Sequence, residues 1–545
     1  MQPLTLAKRG WLLLFLAVTA FYFYGLGHIP FVGPDEPRYA QVAREMFLRR
    51  DLVTPTLGGE TWFEKPPLLY WGMIAGYRLF GVNEWSARLA PALSGLLTVL
   101  AVLWTGRRVC QYSERALSGL APWSGAITAS TLGIIVFSRG VGFDIVVTMT
   151  ITWALCFFLV SEFESDEKHR RRLMFGFYFF IGLSLLAKGL IGLVIPFSVV
   201  GLYQLMRRQF PARHFLRTLW WGLPLAFAVA SIWYLPVILK HGWPFIDEFF
   251  VQHHFARYLS NKYRHPQPFY FYLLILIPMS LPWTVFLIEG IVKSRSWSLR
   301  SNDPVDRMRV LALAWLIMPL AFFSFSGSKL PGYILPLLPA GALIAGDRLR
   351  MFISGERDGR SAMRMTGALF LVFVLVGAVF VIRSGGLSRT CLVMIVIPLI
   401  ITATICIFWT QRKTLTALLV TATTFVALIL ALNCGVSSFA TRESMRDLLQ
   451  LADSRGYGSA PVYSLHQIDR SVEFYAAGRV VYGVEGDPVR FESALDILDA
   501  ARRNNGPILA IVPVEYKYQL TGLSDARVEV IGDNGKLALV GVARE

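Results

Sequence analysis

Residues 173–206 read LMFGFYFFIGLSLLAKGLIGLVIPFSVVGLYQLM, and Lys188 is the single charge among them. At 1.5 Å per residue a continuous helix here would be about 51 Å long, too much for one crossing of a roughly 30 Å hydrocarbon core and barely enough for two. Basic residues bracket the run, Lys168 to Arg172 before it and Arg207-Arg208 after it. Clusters of that sign mark cytoplasmic ends. The run therefore leaves and returns, and Lys188-Gly189 is a tight turn on the outer side.

The same arithmetic extends along the chain. Of 545 residues 54% are hydrophobic and only 16% charged, against about 25% charged in soluble domains. The apolar runs have helical-span length rather than the short alternation of a barrel. Hydropathy predicts about thirteen spans, near 11–27, 87–106, 117–137, 143–160, 173–187, 189–206, 218–239, 269–291, 310–325, 332–346, 365–382, 390–410 and 415–435. Basic stretches follow every second span: Arg107 to Arg115, Lys168 to Arg172, Arg207 to Arg217, Lys293 to Arg309, Arg348 to Arg364, and Arg412-Lys413. With Lys8 and Arg9 inside, all of them are cytoplasmic. That placement accounts for the net charge of +17 as positive-inside topology, not as nucleic-acid binding. The first run ends in Phe21-Tyr22-Phe23-Tyr24, where a signal peptidase needs small residues, so it reads as an anchor. The five cysteines lie in or beside apolar spans without a CxxC, which predicts neither a disulfide framework nor a thiolate metal site.

Three long pieces fall on the outer side: 28–86, 240–268 and everything after about 438. The last has strand-like runs at 461–465, 508–512 and 537–542 and an amphipathic helix at 487–503. The expected fold is mainly α: a polytopic membrane bundle over 1–438, with 28–86 as its catalytic loop, and an extracytoplasmic α/β domain over 439–545.

The reactive side chains gather on that outer side. The first loop opens Gly33-Pro34-Asp35-Glu36-Pro37-Arg38-Tyr39, a helix-initiation pattern that puts Asp35, Arg38 and Tyr39 on one face at i, i+3 and i+4. An N-cap with a surface ion pair is the plain alternative, but carboxylates emerging directly from a span are costly and usually functional. Glu36 points about 100° away from Asp35 and is expected to tolerate glutamine better. Further on, Glu64-Lys65 offers an acid for a metal or hydroxyl and a cation for a phosphate. Asp144 stands in a short outer turn, where it either caps a helix or serves the site. Lys188, at its own outer turn, either snorkels or meets an anion. His253, His254 and Arg257 make an outer loop basic against the positive-inside rule, as an anionic partner such as a phosphate would reward. Ser326-Gly327-Ser328-Lys329-Leu330-Pro331-Gly332-Tyr333 lacks a GxxxxGK[ST] phosphate loop; Lys329 and Tyr333 suit a phosphate oxygen or sugar hydroxyl. A transferase working where no nucleotide is available needs a donor delivered by the membrane, and a polyprenyl-phosphate sugar meets that need, the cations holding its phosphate while a carboxylate deprotonates the acceptor.

In these motifs, from Asp35 through Leu186-Ala187-Lys188-Gly189 to Lys329-Leu330-Pro331-Gly332-Tyr333, the chain resembles the GT-C superfamily of membrane glycosyltransferases. Within it the resemblance is to the protein-mannosyltransferase-like branch, and there to the bacterial transferases of 4-amino-4-deoxy-L-arabinose to lipid A. The resemblance implies inverting, single-displacement transfer from an undecaprenyl-phosphate sugar to a lipid or glycan acceptor on the periplasmic face of the inner membrane. It implies catalytic roles for Asp35 and Asp144, acceptor contacts from Arg38, Tyr39 and Lys188, and donor-phosphate contacts from Lys65, Arg257, Lys329 and Tyr333, with Glu36 and His253 close by. Glu64 matches a first-loop glutamate that in some relatives is implicated in holding a divalent metal, and no cofactor is required beyond that option. A protein O-mannosyltransferase is the nearest alternative among enzymes. A lipid-linked-sugar flippase would carry charges midway through spans and paired broken helices, and a non-catalytic scaffold would need none of these clusters.

Overall fold

A computed structural model describes residues 6–209, 213–256, 267–384, 388–483, 486–504 and 506–544. Every one of the thirteen apolar segments is helical. Seven helices are long and apolar enough to cross a membrane, among the described residues, and an eighth candidate is a pair bent by 54°. In chain order the first ten helices are α1 (Leu6–Phe23), α2 (Asp35–Arg49), α3 (Leu68–Phe80), α4 (Glu84–Tyr112), α5 (Leu120–Ser130), α6 (Leu132–Arg139), α7 (Phe143–Ser161), α8 (Glu167–Lys188), α9 (Ile191–Met206) and α10 (Arg213–His241). The bent pair is α5–α6. The hairpin α8–α9 turns at Gly189, whose φ of +70° is the left-handed region that favours glycine. The second arm is short for a bilayer: α9 has 16 residues, about 24 Å of helix.

One ion pair ties the first outer loop to the bundle. Arg88 of α4, 3% exposed, gives Nε and Nη2 to the Glu36 carboxylate at 3.1 and 2.8 Å. Its remaining donors reach the carbonyls of Leu26, Ile29 and Pro30 at 2.6–3.0 Å. Glu36 also accepts the Val32 and Val141 amides. Glu36 faces away from Asp35 as the helical period requires, and it points into a buried arginine, not into solvent.

At the far end of α4 the basic loops meet one another through acids. Arg115 pairs with Asp306 at 2.8 Å, Arg309 with Asp347 at 2.7 Å, and Arg348 with Glu289 at 2.7 Å. The loops predicted to share one side of the membrane thus share one end of the molecule. The disulfide expectation is corrected. Cys391 and Cys434 are 43 residues apart, yet the antiparallel helices Arg389–Phe408 and Lys413–Ala431 return one to the other, Cα to Cα 5.8 Å, and they form a disulfide.

Beyond the small hairpin of the first outer loop, β1 (Thr56–Leu57) and β2 (Glu60–Thr61), a separate apolar core begins at Met445. It packs against a five-stranded sheet, β3 (Val462–Leu465), β4 (Arg490–Phe491), β5 (Ile508–Pro513), β6 (Ala526–Asp533) and β7 (Leu537–Arg544), in the order β4-β3-β5-β7-β6. The strands β4, β3 and β5 run parallel, and β7 pairs antiparallel with β5 and β6. The amphipathic helix is Ala494–Arg503, capped by Ser493; the residues before it form a loop and β4. This α/β unit rests on the first outer loop. The Phe31 amide donates to Tyr475 Oη at 2.7 Å, and Arg44 donates to the Phe474 carbonyl at 3.1 Å.

Replacing Arg88 by alanine leaves a buried carboxylate and three carbonyls without their donor. Loss of one partner of a buried pair costs about 3–5 kcal/mol, so Arg88→Ala is expected to unfold at markedly lower temperature in detergent than the wild type. An unchanged midpoint would contradict the role given to this pair.

Candidate active site

Asp35 starts α2, where two acids in the first turn suit the helix dipole. It shares one oxygen with Arg38 Nη2 at 2.6 Å and remains 54% exposed. Arg38 lies over the Trp62 ring at 5.2 Å. Burial pulls its guanidinium down, but Tyr39, Glu64 and Asp35 more than offset that and hold it charged. Tyr39 is packed edge-on against Phe143 at 5.0 Å. Its phenol is pushed well up by burial and then by Glu64 and Asp35, so at neutral pH it keeps its proton as a hydrogen-bond donor.

The outer turns of the bundle close around these groups. The first turn of α7 supplies Asp144, and the hairpin tip supplies Lys188, whose Nζ pairs with Asp144 Oδ1 and sits 4.7 Å from the Tyr333 ring. Gly332 makes the close approach to this pair: a Cβ there would run into Asp144 Oδ2 and Phe137. Asp35, Tyr39, Lys65, Asp144, Lys188 and Tyr333 line one cavity of about 270 Å³. Lys65 pairs with Glu64 at 2.9 Å. Residues scattered from 35 to 333 thus converge on one recess that holds carboxylates, cations and phenols, as proton transfer beside an anion requires.

Not every expected residue joins it. Lys329 is 8% exposed, and its Nζ is engaged by the carbonyls of Ser326 and Gln267 at 2.7 and 3.0 Å. It braces the loop that carries Tyr333, and the cavity lining does not include it. Arg257 lies outside the described residues. Of His253 only the backbone is described, in the helical turn Asp247–Ala256. For a metal, Glu64 offers a poor donor set: Lys65 is paired with it, and among the described residues no group of three or more His, Cys, Asp or Glu could hold an ion. Sequence reasoning missed Arg88, Gly332 and Tyr70, the last a buried phenol edge-on to Phe143 at 5.3 Å. Arg88 carried the signal that singled out Lys188, being the one charge in its apolar run between Glu84 and Arg107.

Gly332→Ala is expected to leave the bundle folded while parting Asp144 from Lys188. Turnover should fall roughly 100-fold, the loss that a displacement of about 1 Å can cause, with a smaller loss of thermal stability than Arg88→Ala. Wild-type turnover would show that the close packing at Gly332 is unimportant.

Residues 9–248 match the family described as dolichyl-phosphate-mannose-protein mannosyltransferase. The undecaprenyl phosphate-alpha-4-amino-4-deoxy-L-arabinose arabinosyl transferase of Pseudomonas aeruginosa is 31% identical over 375 residues, 68% of this chain and 64% of that one. That of Edwardsiella ictaluri is 31% identical over 397 residues, 71% of this chain and 65% of that one. The chain therefore spans just under two thirds of the length of these curated relatives. Among solved structures, ArnT from Cupriavidus metallidurans in the apo state superposes with a TM-score of 0.80 at 24% identity, covering 98% of both chains. The same protein bound to undecaprenyl phosphate gives 0.77. By matched sequence the chain is similar to the dolichyl-phosphate-mannose-protein mannosyltransferase family over residues 9–248 and to these arabinosyl transferases, and it shares the fold of ArnT.

Proposed function

We propose that this protein transfers a sugar, 4-amino-4-deoxy-L-arabinose, from undecaprenyl phosphate to a lipid A-type acceptor by inverting single displacement. The observation that carries the reading is the convergence of Asp35, Lys65, Asp144, Lys188 and Tyr333 on one recess at an end of a membrane bundle. The donor is the one in the names of its relatives, and the lipid A-type acceptor follows from the resemblance described for the sequence. Lys65 and Tyr333, with Arg257, hold the lipid phosphate. Tyr39, Arg38 and the Asp144–Lys188 pair receive the acceptor. The acceptor oxygen attacks the anomeric carbon from the face opposite the phosphate. The carbon–oxygen bond to the phosphate breaks, and undecaprenyl phosphate leaves with the electron pair. If the attacking group is a hydroxyl, its proton passes to Asp35. If it is an ionised phosphate, Asp35 orients it or stabilises the cationic sugar.

In this reading residues 1–438 form the transfer domain and 439–545 an accessory domain, both serving the periplasmic face of a bacterial inner membrane. The Cys391–Cys434 disulfide supports that orientation. It joins helix ends on the side where the chain enters the C-terminal unit, and disulfides persist in oxidising compartments. A reporter fused to the C-terminus and active only in the cytoplasm would contradict it. The matched family description favours one second reading, transfer to protein hydroxyls; offering purified protein both lipid A and a serine/threonine-rich peptide separates the two by which one gains the mass of a sugar.

Two substitutions test the assignments. Asp35→Asn keeps shape and removes the base, and should cut transfer about 10²–10⁴-fold with donor binding intact. Retention of more than about a tenth of the wild-type rate, less than general-base loss allows, would sink the assignment. Lys65→Ala removes a charge-assisted contact worth about 1.5–3 kcal/mol and should weaken undecaprenyl phosphate binding roughly 10–150-fold. Wild-type affinity would place the phosphate elsewhere.

A further inference from the structure

At the end of the bundle opposite the recess, several arginines of the basic loops are paired with acids. One corner differs. The end of α7 and the starts of α8 and α10 surround two adjoining cavities of about 250 and 400 Å³. Arg170 and His214 line both. Arg171 and Arg217 line the first, and Arg213 and Arg307 line the second. Five arginines thus converge on one hollow.

The acids there do not neutralise them. Glu162 Oε1 meets His214 Nε2 at 2.9 Å, and Glu164 Oε2 accepts Tyr112 Oη at 2.5 Å. Glu167 stays exposed in the first turn of α8. Arg307 donates to the Glu162 carbonyl and to Asn302 Oδ1. The guanidinium groups of Arg170, Arg213 and Arg217 have no hydrogen bond or ion pair among the described residues, and Arg171 lies over the Trp221 ring at 5.6 Å. Phe210-Pro211-Ala212, outside the described residues, contain no acid. Like charges gathered in this way repel one another until an anion joins them. The wall on the α10 side says which anion. It is made by Trp220, which is exposed, and Trp221, about 10 Å along the helix from Arg213, the place of an interfacial aromatic belt. Beyond them the exposed side chains are apolar, Phe175 and Phe179 on α8 and Phe227 on α10. A phosphate among the arginines is therefore continuous with a lipid-facing surface. Basic pockets between helices on the cytoplasmic side are how bundles hold anionic lipid headgroups, and the planar guanidinium fork suits phosphate oxygens.

We propose that this corner is a binding site for an anionic glycerophospholipid of the facing leaflet, its phosphodiester held by Arg170, Arg213 and Arg217 and its acyl chains lying along Trp220 and the outer faces of α8 and α10. The inference goes beyond the transfer reading and uses only the positive-inside placement of these loops. It separates two kinds of basic residue at this end: those that meet acids and tie loops together, and those left for the membrane.

Native mass spectrometry of the full-length purified protein, titrated in detergent with phosphatidylglycerol or phosphatidylcholine, tests the site without any sugar donor. The wild type should bind phosphatidylglycerol in clear preference to phosphatidylcholine. An arginine at a membrane surface is worth about fivefold in affinity for anionic lipid, so Arg170→Gln with Arg217→Gln should weaken phosphatidylglycerol binding roughly 30-fold. Arg170→Lys with Arg217→Lys keeps the charge and should recover most of that loss. Lys293→Gln with Arg364→Gln removes the same charge from exposed positions that line neither cavity and should leave the affinity unchanged. Inorganic phosphate at the concentration of the lipid should not displace it. The proposal is overturned if phosphatidylcholine binds the wild type as tightly, a comparison that needs no variant. It is overturned equally if the glutamine pair at 170 and 217 keeps wild-type affinity, if the lysine pair loses as much as the glutamine pair, or if the pair at 293 and 364 loses as much. Displacement by inorganic phosphate would mark a site for a free anion and overturn the lipid assignment.

Discussion

Asp35 has a fixed place because Glu36, its neighbour, is bonded to a buried arginine. Arg88 brings Glu36, the carbonyls of residues 26–30 and, through Glu36, the turn at Val141 to one point. An isolated arginine near membrane depth is expensive; five hydrogen bonds and a carboxylate offset that cost. Because the donors of a guanidinium are rigid and planar, the pair fixes the angle of α2 as well as its position. The lining residues contributed by α2 and by the α6–α7 turn are thereby referred to α4.

The second constraint is helix length. The apolar part of α8 and the whole of α9 each reach about 24 Å, less than a roughly 30 Å core. Lys188, at the tip of this hairpin, lines a recess with Asp35, Asp144 and Tyr333. Asp144 meets it there. A charge pair in such a place adds little to stability, which fits a site kept for what it binds. On the opposite end, ion pairs among the basic loops do ordinary structural service.

Much of this was legible beforehand, and the exceptions have physical reasons. The positions of the apolar helices follow from hydropathy, and the turn at Lys188 from length together with the basic clusters that bracket its run. The strands β3, β5 and β7 were visible because their buried faces make continuous apolar runs, whereas β6, largely open to solvent, reads ARVEVIGD and looks like loop. Helical periodicity told where Glu36 points but not that Arg88 waits there, 52 residues on. A local motif at an outer turn does not reveal that nearby carbonyls engage the Lys329 ammonium. The pairing of Cys391 with Cys434 needed the return of an antiparallel helix, and the seating of the helix Ser471–Tyr475 on α2 needed a contact more than 400 residues away in sequence.

The claim on which the rest turns is that the recess between Asp35, Lys65, Lys188 and Tyr333 receives a polyprenyl phosphate. A cryo-electron microscopy map of the purified protein with undecaprenyl phosphate tests it most directly. The account predicts phosphate density within hydrogen-bonding distance of Lys65 and Tyr333, with the polyprenyl chain leading from the recess into the bilayer. Density for the polyprenyl phosphate elsewhere, among the basic loops at the opposite end of the bundle or beside the α/β sheet, would contradict it.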